Sequence, residues 1–179
     1  ASNYGKLVFG KNSSGKAQEW YILGKDKWMY TDNIIIFVAS AIAKSKFNPS
    51  QDDITIADIP QSDARASLIG TYSYSNNFVP TTVYANYYGI SSLRAALNTM
   101  AIDENYFTAA EQDLMNSTSV GTSDINNSVD YFVTDKLYAL AADGYGSTTI
   151  KAGGSNSTLL AMNSYWKNGN GYFWMRSPY

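Results

Sequence analysis

The side chains with chemistry to offer are carboxylates, hydroxyls, amides and phenols, because the chain contains neither His nor Cys. That absence removes disulfides, Cys/His zinc sites, Ser-His-Asp and Cys-His nucleophiles and imidazole bases together. A carboxylate hydrolase needs two facing acids at a defined separation. Asp26, Asp32, Asp52, Asp53, Asp58 and Asp63 fall instead among turn residues, where turn and capping roles account for them. The spacing nearest to a metal loop is Asp124-Ile-Asn126-Asn-Ser128-Val-Asp130, with Asp135 at the twelfth place. Oxygen ligands at alternate positions are what Ca²⁺ takes, so Asp124, Asn126, Asp130 and Asp135 are the candidate ligands and calcium the candidate cofactor. The loop departs from the EF-hand type, with Val129 where the turn needs Gly and Asp135 where a bidentate Glu is usual. A strand edge or hairpin with alternating polarity gives the same letters.

Aromatic residues offer a second chemistry. Tyr72-Ser-Tyr74, Tyr84, Tyr87-Tyr88 and Tyr165-Trp166 sit among Asn and Ser, and aromatic platforms beside amide and hydroxyl donors suit the faces and edges of sugars. Tyr84, Tyr87, Tyr88, Tyr165 and Trp166 are the candidate ligand-binding residues. The bland reading makes them core-edge residues with a polar tip in water. Near the end, Tyr172-Phe-Trp-Met-Arg-Ser-Pro-Tyr179 places Arg176 after an aromatic strand, a setting for a structural clamp on carboxylate or carbonyl oxygens.

The wider composition favours recognition over catalysis. Ser, Asn, Thr and Tyr supply 65 of the 179 residues, while charged residues supply only 16%. Such a neutral, Tyr-rich composition matches the binding faces of recognition modules. A net charge of −2 with no basic run argues against nucleic acid and anionic membranes as partners. The longest apolar run, Ile34 to Val38 and onward to Ala43, is too short and interrupted to span a bilayer. The start lacks the charged and apolar regions of a signal peptide and is not Met, so the chain reads as a processed or excised piece of a larger protein, and zero Cys fits secretion by a bacterium that does not rely on disulfides.

The elements that must position these residues are short. Strands are predicted at Lys6 to Phe9, Glu19 to Leu23, Lys27 to Tyr30, Val129 to Val133, Lys136 to Ala141, Leu159 to Met162 and Tyr172 to Met175. Ile34 to Ala39 reads as a central strand buried on both faces. The stretch 40–79 reads as loop with a short helix near Ser62 to Ile69. Ser91 or Ser92 caps a helix carrying Leu93, Ala96, Leu97 and Met100 on one face. Thr108 and Glu111 form a capping box that starts a second helix through Met115, which makes Glu111 structural. The fold class is α+β, a twisted and mainly antiparallel sheet with two short helices, in a single domain over residues 1–179.

Five segments in order carry a resemblance. Glu19-Trp20-Tyr-Ile-Leu23, Asn86-Tyr-Tyr-Gly89-Ile-Ser91-Ser-Leu93-Arg94, Tyr106-Phe-Thr-Ala-Ala-Glu111, Asp135-Lys-Leu-Tyr138 and Trp174-Met-Arg-Ser-Pro178 resemble the motifs of the domain-of-unknown-function 6273 family. That family occurs in surface proteins of Gram-positive gut bacteria and has no established activity. The resemblance implies a C-type-lectin-like fold, distantly similar to the formylglycine-generating-enzyme branch, with Trp20, Arg94, Glu111, Trp174 and Arg176 in structural places. Catalytic relatives of that branch use Cys or His, and calcium-dependent lectins use Glu-Pro-Asn or Gln-Pro-Asp; none of these occurs here. The family pattern continues past Arg-Ser-Pro with one more strand, so the chain is expected to lack its last strand and to accept one from another chain at that C-terminal edge. The expected function is a non-enzymatic extracellular module, at the cell wall or cell surface, that binds a glycan or a surface protein. The alternative is a spacer or assembly subunit of a surface fibre.

Overall fold

The structure is a computed structural model and describes residues 4–25, 32–141 and Trp174. It is α+β, with mostly antiparallel sheets and two helices. The strands are β1 (Lys6–Lys11), β2 (Ala17–Lys25), β3 (Ile34–Val38), β4 (Ile54–Thr55), β5 (Tyr72–Tyr74), β6 (Thr82–Val83), β7 (Thr118–Asp124) and β8 (Val129–Asp135); the helices are α1 (Ser92–Met100) and α2 (Ala109–Leu114). Among the described residues they form three antiparallel sheets, ordered β1-β2-β3, β4-β6 and β5-β8-β7, where the sequence pointed to one.

The sheet β5-β8-β7 shows why its residues are strands. Along β8, Tyr131, Val133 and Asp135 are buried while Asp130, Phe132 and Thr134 are exposed, the period of two that puts alternate side chains on opposite faces. Tyr131 and Val133 enter the larger core with Tyr74, Tyr87, Tyr88, Ile90 and Val120. A smaller core gathers Trp20, Met100 and Phe107 beneath Leu7, Phe9, Ile36 and Val38 of the first sheet. Helix α1 serves both: Leu93 and Ala95 belong to the larger core and Met100 to the smaller. Ser91 caps it, its Oγ accepting from the Arg94 amide at 3.0 Å.

Three expectations are corrected, and one strand was not foreseen. Ile34–Val38 is an edge strand among the described residues, since β2 takes the centre of its sheet, although Phe37 is buried on one face while Ile36 and Val38 pack on the smaller core from the other. Residues 136–141 are not a strand; after Asp135 the chain turns away, and Leu137 and Ala139 pack into the two cores. Thr118–Asp124 is a strand although Thr, Ser and Gly dominate it, because tertiary pairing along all seven residues of β7 overrides weak propensity. Within 40–79 the short helix expected near Ser62 to Ile69 is present as a 3-10 helix at Ala64–Leu68, but the stretch is not otherwise loop: Ile54–Thr55 pairs with Thr82–Val83, and Tyr72–Tyr74 is a strand. The strands expected at Lys27 to Tyr30 and Leu159 to Met162, and most of the one at Tyr172 to Met175, lie outside the described residues.

Glu111 ties α2 to the first sheet. Its Oε2 accepts from the Thr108 amide at 2.8 Å and completes the capping box, while Oε1 accepts from the Gly10 amide at 2.7 Å. The Gly10 bond is the main reason its carboxyl is held below the ordinary 4.5, with the Thr108 bonds adding to it against a burial penalty. A lowered folded-state pKa means this support is complete above the unfolded value and is lost as pH falls through the folded one. Gly10 meets the carboxylate at φ +69°, where an added Cβ would lie 2.5 Å from the Phe107 ring and 2.6 Å from the Tyr106 carbonyl. Gly15 has a similar φ of +72° with open space around it. Gly10→Ala therefore carries both left-handed strain and overpacking, about 3 kcal/mol, against about 1 kcal/mol of strain alone for Gly15→Ala. Urea unfolding of the two variants checks this; equal losses would contradict it.

Candidate functional site

The tyrosines predicted to meet a ligand are mostly inside. Tyr88 is 0% exposed and its hydroxyl accepts from the Ala139 amide at 3.2 Å; Tyr87 is buried and stacks on Tyr131 at 4.5 Å between ring centroids. The ligand-platform reading of Tyr87 and Tyr88 is corrected: the 3-10 turn Tyr88–Ile90 drives both rings into the larger core. Tyr84 is half-buried against the same core. Tyr165, Trp166 and Arg176 lie outside the described residues.

The buried phenols form a directed chain. Tyr74 on β5 stands opposite Tyr131 on β8, with Tyr72 and Tyr87 edge-on at 5.8 Å. The Tyr74 hydroxyl lies 2.9 Å from Asp124 Oδ2 and 3.0 Å from the Tyr87 hydroxyl. A carboxylate only accepts, so Tyr74 donates to Asp124, and Tyr87 donates to Tyr74. Burial is the first cause that pushes the Tyr74, Tyr87 and Tyr131 phenols well above 10, so all three remain neutral donors across the physiological range. Tyr131 also accepts, from the Gly89 amide at 3.0 Å.

Asp124 closes that chain at the mouth of a hollow of about 480 Å³. Ser75 and Asn76, which follow β5, line one side; Ser123, Asp124, Ser128 and Asp130, around the tip of the β7–β8 hairpin, line the other. Asp124 is only 3% exposed, and its carboxylate also accepts from the Asn127 amide at 3.2 Å and the Asn127 side chain at 2.8 Å. Asp130 accepts from Ser123 Oγ at 3.0 Å, and the Asn76 Oδ1 accepts from the Phe78 amide at 3.1 Å. Among the described residues neither Lys nor Arg lines the hollow, and Ile125 is an exposed apolar residue beside the polar groups. Such a surface can exchange hydrogen bonds with hydroxyl groups through amide, hydroxyl and carboxylate together.

The calcium-loop reading of 124–135 is corrected by the ladder. Asp124 pairs with Val129 at one end of the hairpin and Asp135 with Thr118 at the other. Six strand steps separate those ends, about 20 Å, too far for one coordination sphere. Asp124 shares a sheet face with Val129, Asp130 shares the opposite face with Ser123, and Asn126 is exposed at the turn. Asp135 is spent on Arg94, which reaches its carboxylate through Nε at 2.9 Å and Nη2 at 2.9 Å. Among the described residues no group of three or more acids is placed to hold a metal.

The remaining structural candidates have specific contacts. Trp20 is buried and its Nε1 donates to the Phe9 carbonyl at 2.6 Å. Trp174 is 55% exposed; its Nε1 donates to the Ser45 carbonyl at 2.8 Å and its ring leans on Phe47 at 5.6 Å. Sequence reasoning missed Ser75, Asn76, Ser123 and Ser128, because isolated Ser and Asn are common in turns and only the third dimension gathers these four.

Replacing Tyr74 by Phe removes the link between Tyr87 and Asp124 and leaves the Tyr87 proton without its acceptor, at a cost of about 1–3 kcal/mol. Tyr72→Phe, which loses a hydroxyl with no hydrogen bond among the described residues, should cost under about 0.5 kcal/mol. Equal losses in denaturant unfolding would show that the phenol chain does not contribute.

No family model, curated protein or solved structure matches this chain.

Proposed function

We propose that the chain is a non-enzymatic extracellular recognition module of a Gram-positive surface protein, similar to the domain-of-unknown-function 6273 family and C-type-lectin-like in fold. Its ligand is a glycan, taken in the hollow beside the β7–β8 turn. The observation that carries this reading is the lining itself: hydroxyl, amide and carboxylate groups from two separate chain segments, with exposed Ile125 beside them. Sugars offer hydroxyl edges to such groups and an apolar face to such a neighbour. The tyrosine chain supports the reading in a second way. It anchors Asp124 from behind, and a polar lining held in place before binding loses less entropy when a ligand arrives.

The absence of His and Cys supports binding over catalysis, since the commonest bases and nucleophiles are missing from the whole sequence. Among the described residues no helix is long and apolar enough to cross a membrane.

A glycan array followed by calorimetry on the best sugar tests the proposal. Asn76→Ala and Asp130→Ala should each weaken binding about tenfold, which corresponds to about 1.4 kcal/mol. Thr99→Ala, on helix α1 and outside the lining, should leave the affinity unchanged. A blank array, or binding that ignores both lining substitutions, would overturn it.

A further inference from the structure

Two carboxylates are buried among the described residues, and they are balanced differently. Asp135 is held by the Arg94 guanidinium at 2.9 Å. Asp124, only 3% exposed, makes no ion pair among the described residues. Its hydrogen bonds come from neutral donors: the Tyr74 hydroxyl, the Asn127 amide and the Asn127 side chain. Neutral donors spread a negative charge without cancelling it, and a carboxylate withdrawn from water without a counter-ion is costly.

Asp130 brings a second uncompensated charge to the same hollow. It is exposed and stands opposite Ser123 in the ladder. Its Oδ1 accepts from Ser123 Oγ at 3.0 Å, while its Oδ2 makes no hydrogen bond among the described residues. Ser75, Asn76, Ser123 and Ser128 add only neutral groups, so the lining they form with the two carboxylates is negative.

That charge decides which sugar the hollow can take. A uronate or a phosphorylated sugar is repelled. Calcium takes about six to eight oxygen ligands, and among the described residues no group of three or more acids is placed to hold a metal. An ammonium group has three donors and no acceptor, the complement of a carboxylate oxygen without a partner, and the bond between them is charge-assisted.

We propose that the glycan taken in the hollow is an amino sugar with an unsubstituted ammonium group, which donates to Asp130 Oδ2 within the field of Asp124. This rests on the glycan reading of the hollow and adds to it the chemical class of the sugar. Ser75, Asn76 and Ser128 are left for the hydroxyls, and Ile125 for the apolar face of the ring.

Three tetrasaccharides that share one β-1,4 backbone and carry an ammonium, an acetamide or a hydroxyl group at C2 separate charge from shape. Titration calorimetry on the full chain should give the ammonium tetramer an affinity about tenfold or more above both others. Asp130→Asn, which keeps the size of the side chain, should erase that preference. Asp52→Asn, which removes the same charge at an exposed position outside the lining, should keep it. Equal affinities for the three tetramers, or a preference for the acetamide, would overturn the ammonium assignment and leave the glycan reading standing. A preference that survives Asp130→Asn, or tetralysine binding as tightly as the ammonium tetramer, would overturn it as well. If none of the three binds while other sugars on the array do, the assignment falls alone; a blank array removes the glycan reading with it.

Discussion

The Arg94 guanidinium organises this chain from inside. It is 1% exposed, its Nε and Nη2 grip the Asp135 carboxylate, Nη1 donates to Thr71 Oγ1 at 2.9 Å and the Gly89 carbonyl at 2.8 Å, and Nη2 reaches the Thr71 carbonyl at 3.2 Å. All five N–H donors of the fork are thereby satisfied. One side chain on α1 binds the end of β8, the residue before β5 and the 3-10 turn that buries Tyr87 and Tyr88. Removing a charge from the interior pair would leave its partner uncompensated, which is costly, whereas the complete set is held by bidentate geometry.

From that anchor the polar interior continues to the hollow. Gly89, gripped by Arg94, gives its amide to Tyr131; Tyr131 stacks on Tyr87, and Tyr87 leads through Tyr74 to Asp124. The buried phenols of this thread have a structural reason. Tyrosine fills core volume as an aromatic while its hydroxyl satisfies a buried amide or carboxylate, so polar groups enter the interior without ionising. Among the described residues Tyr74, Tyr87, Tyr88 and Tyr131 line the core rather than a binding face, and their polar thread ends at the surface beside Ser75 and Asn76.

Local signals in the sequence were readable where they are self-contained. The Ser91 cap with its apolar stripe and the Thr108–Glu111 box depend on residues within a few positions of one another, and both helices stand where those signals place them. β8 was legible from its alternation. β7 was not, because Thr-Ser-Val-Gly-Thr-Ser-Asp has little strand propensity and owes its conformation to β8. Burial of Tyr87 and Tyr88 was equally hidden, since a tyrosine beside Asn reads alike at a surface or at a satisfied core position. The acid spacing of 124–135 looked like a metal loop because a hairpin places every second residue on one face. Only the register separates Asp124 from Asp135 by the length of the ladder.

A double-mutant cycle on Arg94 and Asp135, followed by denaturant unfolding, tests most directly whether this buried pair holds helix α1 to the β5-β8-β7 sheet. Arg94→Met and Asp135→Leu should each cost about 3–5 kcal/mol, and the double variant should cost clearly less than their sum, because the second change removes the charge that the first left unpaired. Single losses under about 1 kcal/mol that simply add would contradict the account.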